Sequence, residues 1–198
     1  MDPKTDEELR IQRVIEEVYR KYDEQEAYIP RPFSEYNVSL KDINEQVYID
    51  LSFDDIEHLS EAEIPSRPFP VTGRVYGPSM RLAVPLVFRE FHNPESKTLN
   101  VWCFLDTTSV YTCLSVKTLE AFFGKGNVKE TLYSFQIQKS ACPINVYVSK
   151  VGSEFEHANI IGMHALDRLR VSTVFNIRKK QITLVDAEVD IEIEGGRA

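Results

Sequence analysis

The 198-residue sequence has little of what disulfide-rich, membrane or secreted proteins depend on. Its three cysteines cannot form a disulfide framework, so a reducing cytosol or nucleus is the expected location. No apolar run approaches the roughly 20 residues that a membrane-spanning helix needs. The first eight residues are acidic and lack the apolar segment of a secretory signal. We therefore expect neither secretion nor a membrane partner.

Metal and phosphate motifs are also absent. The four histidines and three cysteines show no Cys-x-x-Cys or His-x-x-x-His spacing, so neither a zinc site nor a cofactor is expected. The eight glycines form no phosphate-binding loop. Cys103 and Cys113 lie in predicted buried strands, where structural thiols are far commoner than nucleophiles.

Charge is distributed unevenly along the chain, which carries a net charge of −8. Residues 1–66 hold 18 acidic and 7 basic side chains, whereas residues 67–198 hold 13 acidic and 16 basic ones. The acidic part would repel a phosphate backbone, and no basic stripe interleaved with aromatic residues follows it. Nucleic acid is therefore not an expected partner. The basic run 178–180 falls in a predicted hairpin turn, where such charges are usually solvated.

The composition, with 42% hydrophobic and 27% charged residues, is that of a globular protein. Apolar residues recur at helical spacing near the N-terminus, which predicts an amphipathic helix within residues 1–28. Its apolar stripe must cover either the surface of the domain or another chain. The stripe residues Ile11, Val14 and Val18 are therefore candidate partner contacts.

Residues 29–71 are acidic and punctuated by prolines, as in a linker or extension. Two short segments in it resemble each other, since each combines arginine, proline and phenylalanine. They are either peptide motifs for an aromatic-lined groove or linker ends with similar turn chemistry. The candidate contacts of the first interpretation are Arg31, Phe33, Arg67 and Phe69. A strand over 47–51 and a short helix over 54–63, capped by Ser52, are also predicted.

From about residue 72 the apolar period changes to two, which indicates strands. Pro85 places the first of them at a sheet edge or a bulge. Alternating apolar and acidic residues over 189–193 predict a terminal strand. The pattern predicts a mainly-β barrel or sandwich with helices over 115–123 and 163–169. Its other strands are predicted over 82–88, 99–105, 110–114, 132–137, 144–148, 171–177 and 181–185.

The segment Asp106-Thr107-Thr108-Ser109 lies between two predicted buried strands. A carboxylate at the end of a strand is a plausible position for an acid or base. The alternative is an ordinary hairpin turn, in which Asp and Thr side chains bond to the local backbone. Taken alone, the segment favours the turn.

Residues 101–115 resemble the active-site segment of retropepsin-like aspartic proteases, in which three apolar residues precede Asp-Thr/Ser-Gly. Ile160, Ile161 and Gly162 resemble the second signature of that family, an apolar-apolar-Gly element that opens a helix. Ile160 lies 54 residues after Asp106. Residues 169–184 are similar to the closing hairpin of the family. The resemblance, over about residues 80–186, implies a closed retropepsin-like barrel over residues 72–194 and a tail over 195–198.

The resemblance also implies a mechanism. Family members of this length form dimers in which each subunit contributes one aspartate, and the paired carboxylates share a proton. One carboxylate activates a water molecule while the other protonates the carbonyl oxygen of the scissile amide. Asp106 would take that role here, and the Thr107 hydroxyl would hold the two active-site loops together.

Two departures from the family pattern argue against catalysis. Thr108 stands where the family has glycine, which is used where backbone approaches closely or adopts positive φ. In addition, only one hairpin is predicted between residues 123 and 160, which leaves no glycine-rich flap. The sequence thus favours a catalytically degenerate module that pairs with itself or a related chain and binds protein or peptide. The alternative is an active homodimeric aspartic endopeptidase that uses Asp106 from each subunit.

Overall fold

Three short helices and nine strands form the described part of the chain in a computed structural model, which describes residues 40, 42–52, 56–141, 143–153 and 155–187. The helices are α1 (Glu45–Leu51), α2 (Val116–Phe123) and α3 (Met163–Leu169). The strands are β1 (Val71–Tyr76), β2 (Arg81–Glu90), β3 (Thr98–Asp106), β4 (Thr112–Leu114), β5 (Leu132–Ile137), β6 (Ile144–Val148), β7 (Ile160–Gly162), β8 (Val171–Asn176) and β9 (Gln181–Asp186).

Six of these strands close into a barrel in the order β3-β7-β4-β6-β5-β2, with β2 pairing again with β3. Strands β1, β9 and β8 continue the sheet outward from β2. The pairs β3–β7 and β4–β6 are parallel, and the other pairs are antiparallel. The predicted mainly-β barrel with short helices is confirmed. No described helix has both the length and the apolar character needed to cross a membrane.

Strand β3 contributes to two hydrophobic clusters because successive side chains point to opposite faces. Val101, Cys103 and Leu105 belong to the larger cluster, to which most of the barrel strands contribute. Trp102 and Phe104 belong to a smaller cluster, which α1 covers with Val47, Tyr48 and Leu51. The strand is therefore buried on both faces.

The predicted strand over 47–51 is wrong, because these residues form most of α1. Asn44 starts this helix: its side-chain oxygen accepts hydrogen bonds from the N–H groups of Gln46 (2.9 Å) and Val47 (3.3 Å). Ser52, predicted to cap a following helix, instead ends α1. A short run in which apolar and polar residues alternate can form either a strand or a helix. The helix forms here because it buries Val47, Tyr48 and Leu51 against β3.

The predicted helix over 54–63 is also wrong in its described part. Residues 59–62 run along β3 instead: the N–H groups of Leu59 and Ala62 donate to Asn100 O (2.7 Å) and Thr98 O (2.9 Å). Although they fall within the predicted extension, α1 and residues 59–62 therefore pack on the barrel. The predicted helix within 1–28, the terminal strand over 189–193 and the tail lie outside the described residues.

Pro85 lies opposite Trp102 in the β2–β3 pair. The Trp102 N–H points away from β2 and donates to His58 Nδ1 (3.1 Å), so this is a non-hydrogen-bonded pair that requires no N–H from Pro85. On its other edge, β2 pairs with β1 over 81–83 and with β5 over 88–90. Pro85 thus occupies the gap between two partner strands, which explains why an interior strand accepts proline.

We expect Tyr48→Phe to destabilise the fold by about 1–3 kcal/mol. The buried Tyr48 hydroxyl donates to His157 O (3.0 Å) and accepts from the Asn159 N–H (2.8 Å). Its loss leaves the buried N–H of Asn159 without a partner. Urea unfolding measures the effect, with Tyr76→Phe as the control because that hydroxyl bonds to Asp50 at an exposed site (3.0 Å). Equal losses in the two variants would contradict this assignment.

Candidate functional site

Asp106 is the last residue of β3, and the parallel pairing with β7 sets it beside Gly162. The same register aligns Phe104 with Ile160 and Leu105 with Ile161. Two motifs that are far apart in the sequence therefore lie side by side at one end of the barrel. The backbone ladder, rather than a side-chain contact, brings them together.

The segment 106–111, called the Asp loop below, is fixed to the beginning of α3. Ser109 O accepts the N–H of Met163 (2.8 Å), and Val110 O accepts the N–H of His164 (3.1 Å). A Cβ atom at Gly162 would overlap the carbonyl oxygen of Tyr111 and lie 2.9 Å from Ser109 O. Glycine is thus needed here because the backbone of the Asp loop passes directly over it.

The Asp106 carboxylate is half-buried and held at one of its oxygens. Oδ1 accepts three hydrogen bonds, from the Thr108 N–H (2.9 Å), the Thr108 hydroxyl (2.6 Å) and the Ser109 N–H (3.3 Å). Oδ2 has no hydrogen-bond partner among the described residues. The Asp106 side chain thus bonds to the local backbone, as in the turn interpretation, and the same bonds orient its carboxylate.

Thr108 does not have the positive φ that would strain the backbone of a residue other than glycine. The non-glycine residues with positive φ in the described ranges are Leu59, Met80, Gln138, Arg170 and Lys180. Thr108 therefore does not need the left-handed conformation, and its hydroxyl donates a hydrogen bond to Asp106 Oδ1. The Asp-x-Thr spacing, a common side-chain-to-backbone turn, was the available signal for this contact. Thr107 is exposed and makes no hydrogen bond within the described structure.

The Asp loop and the segments next to it expose large apolar side chains. These are Val110 (59% exposed), Tyr111 (60%), Met163 (45%) and Tyr147 (37%), and together they are called the Asp-loop surface below. The Tyr111 and Tyr147 rings meet edge to face with centroids 5.0 Å apart. Sequence analysis missed this surface because Val110 and Tyr111 were taken as strand residues, whereas β4 begins only at Thr112.

The hairpin β5–β6 does not resemble a free flap. At its turn, the Gln138 N–H donates to Val87 O (2.7 Å) and Gln138 Nε2 donates to Pro68 O (3.2 Å). The turn is therefore bonded to β2 and to the proline-rich segment before β1. It is the one hairpin in the described residues between α2 and β7.

The other residues considered in the sequence analysis lie in several different parts of the chain. Arg67 is exposed, whereas Phe69 packs against the larger core cluster. Burial raises the pKa of the Cys103 and Cys113 thiols, which disfavours a thiolate nucleophile. The described residues hold no group of three or more His, Cys, Asp or Glu side chains suited to a metal. The predicted contacts outside the described residues are Ile11, Val14, Val18, Arg31 and Phe33.

Comparison with known proteins gives one structural similarity. No protein-family model matches the chain, and no curated protein matches it. Among solved structures, the fold is similar to the crystal structure of a retropepsin-like aspartic protease from Rickettsia conorii, with a TM-score of 0.35 and 14% sequence identity. The match covers 59% of this chain and 92% of that protein.

Proposed function

We propose that this chain is a catalytically degenerate, aspartic-protease-like module that associates with a second copy of itself through the Asp-loop surface. One observation carries the proposal: the exposed rings of Tyr111 and Tyr147 meet edge to face beside a loop that also exposes Val110 and whose backbone is bonded to the exposed Met163. Contiguous exposed apolar groups on a soluble domain mark interaction sites. Tyrosine is also among the residues that contribute most to binding energy at interfaces.

The environment of Asp106 favours binding over catalysis. In a catalytic pair, two carboxylates must approach one another and share a proton. Here both the N–H and the hydroxyl of Thr108 donate to Oδ1, and the exposed threonine side chain would crowd a second loop that approached the carboxylate. The anchored β5–β6 turn supports the same conclusion, because exclusion of water from a reacting peptide normally requires a closing element.

Sedimentation equilibrium of the full chain tests the proposal. We expect the wild type to form a dimer, and Tyr111→Ser to weaken association about tenfold or more. Ile177→Ser is the matched control, because Ile177 is equally exposed (60%) but lies in the β8–β9 turn. Asp106→Asn should leave association unchanged. A wild type that remains monomeric at high micromolar concentration, or an equal effect of Ile177→Ser, would refute the proposed surface.

The alternative is an active homodimeric aspartic endopeptidase. It is favoured by Oδ2 of Asp106, which has no hydrogen-bond partner among the described residues. A mixture of synthetic peptides incubated with the wild type and with Asp106→Asn distinguishes the two functions. The degenerate module should cleave nothing. Cleavage by the wild type that is lost in Asp106→Asn, together with binding of a statine-type inhibitor, would establish the protease instead. Activity that appears only in Thr108→Gly would mean that this residue alone disables the loop.

A further inference from the structure

A groove with a volume of about 960 Å³ lies outside the Asp loop and shares no residue with it. Three parts of the chain line it: the proline-rich segment 65–70, strand β1, and the turn between β8 and β9. The buried residues Pro85 of β2 and Trp102 of β3 also border it. The groove is named the basic groove below because of its charges.

Among the described residues, four cationic side chains line the basic groove, namely Arg67, Arg74, Lys179 and Lys180, against a single carboxylate. That carboxylate, Asp50, is already engaged: Oδ1 accepts from Gln46 Nε2 (2.7 Å) and Oδ2 accepts from the Tyr76 hydroxyl (3.0 Å). In a chain with a net charge of −8, the groove is therefore a local site of opposite sign.

Three of the four cations are available to a ligand. Arg67, Lys179 and Lys180 are exposed, and they form no ion pair with another residue in the part of the chain that the structure describes. They come from two segments that are distant in the sequence. An anionic ligand lying along the groove can thus meet separate cations at separate points.

The backbone that carries these cations is fixed by hydrogen bonds. The Val75 N–H donates to Lys180 O (2.9 Å), and the Lys179 N–H donates to Asn176 Oδ1 (3.1 Å). The proline-rich segment is held by Gln138 through Pro68 O (3.2 Å). The groove is therefore formed before a ligand arrives, which reduces the entropy lost on binding.

We propose that the basic groove binds an extended peptide in which acidic residues alternate with apolar ones. An extended chain rises about 3.3 Å per residue, so carboxylates at every second position share one face and present separate charges about 7 Å apart. Apolar side chains between them would contact Tyr76 and the prolines of segment 65–70. A continuous phosphate backbone suits the groove less well, because it carries more closely spaced charges than these few cations can neutralise.

Fluorescence anisotropy with the full chain provides the test. The probe is a fluorescein-labelled, terminally blocked peptide with three Glu-Val-Glu-Pro repeats, and the control peptide has glutamine at every glutamate position. We expect the glutamate peptide to bind at least about tenfold more tightly than the control. Its affinity should fall as salt rises, since exposed charges are screened.

Single charge reversals locate the site. Lys179→Glu and Arg67→Glu should each weaken binding about tenfold, because each replaces an attraction by a repulsion. Arg178→Glu is the matched control: it changes the net charge equally and neighbours Lys179, but Arg178 does not line the groove. We expect its affinity to stay within about twofold of the wild type.

Three results would overturn the proposal. The first is equal binding of the glutamate and glutamine peptides. The second is an equal loss in Arg178→Glu and Lys179→Glu, which would indicate a general charge effect. The third is tighter, Lys179-dependent binding of a single-stranded ten-base oligonucleotide, which would assign the groove to polyphosphate. The variants lie outside the Asp-loop surface, so these results are independent of the proposed self-association.

Discussion

Replacing Gly162 with alanine is expected to destabilise the fold by about 3 kcal/mol, at the upper end of the cost of overpacking. The added Cβ atom would overlap Tyr111 O and lie 2.7 Å from the Tyr111 carbonyl carbon and 2.9 Å from Ser109 O. These are backbone atoms, so no side-chain rotation relieves the overlap. The Asp loop must move, and the bonds that fix it to α3 must break or lengthen.

Urea unfolding of Gly162→Ala and of a second glycine variant, Gly77→Ala, separates this clash from the general cost of losing a glycine. Gly77 has a positive φ of +68° but open space around its Cβ position, so its substitution should cost only about 1 kcal/mol. In Gly162→Ala, amide exchange of Met163 and His164 should accelerate, since their N–H groups donate to the Asp loop. Equal destabilisation of the two variants would refute the proposed packing.

The second large effect concerns His58, a half-buried histidine that the sequence analysis assigned no role. Its Nδ1 accepts the Trp102 N–H (3.1 Å), and its ring stacks on Tyr48 with centroids 4.2 Å apart and planes 13° apart. Burial, with a smaller contribution from the positive charge of Lys117, lowers the pKa of His58 from 6.5 to about 3. Protonation would also remove the acceptor that Trp102 uses.

We expect acid to destabilise the protein through this group. In the unfolded chain a histidine binds its proton near pH 6.5, whereas folded His58 stays neutral until about pH 3. The unfolded state therefore takes up the proton first as the pH falls. The stability contributed by neutral His58 is present above pH 6.5 and is lost towards pH 3, at up to about 1.4 kcal/mol per pH unit.

Urea unfolding at pH 7 and pH 5 measures this loss in the wild type, His58→Gln and His92→Gln. The free energy of unfolding should fall by about 2 kcal/mol less in His58→Gln than in the wild type, because glutamine does not titrate. Carboxylates contribute similarly in each protein and cancel in the comparison. His92 is exposed, so His92→Gln should retain the wild-type slope. Identical slopes in all three proteins would exclude His58 as the source.

Much of the barrel could be predicted from the sequence because its signals are local. Ser115 caps α2, with its hydroxyl accepting the Thr118 N–H (3.1 Å), and the helix ends at Gly124. The hairpins β5–β6 and β8–β9 follow from alternating apolar residues on both sides of a polar turn. The segment before β1 was harder to predict, because α1 and residues 59–62 acquire their structure from contact with β3.

The sequence by itself determined the strand pattern, the uneven charge and the two motifs around Asp106 and Gly162. Only the tertiary structure decided how these parts meet. Parallel pairing of β3 with β7 aligns the motifs, and because β4 begins only at Thr112, Val110 and Tyr111 remain exposed. The basic groove likewise combines Arg67 with Lys179 across more than half of the chain. Such contacts depend on strand register and chain closure, to which residues far apart contribute together, so no local pattern records them.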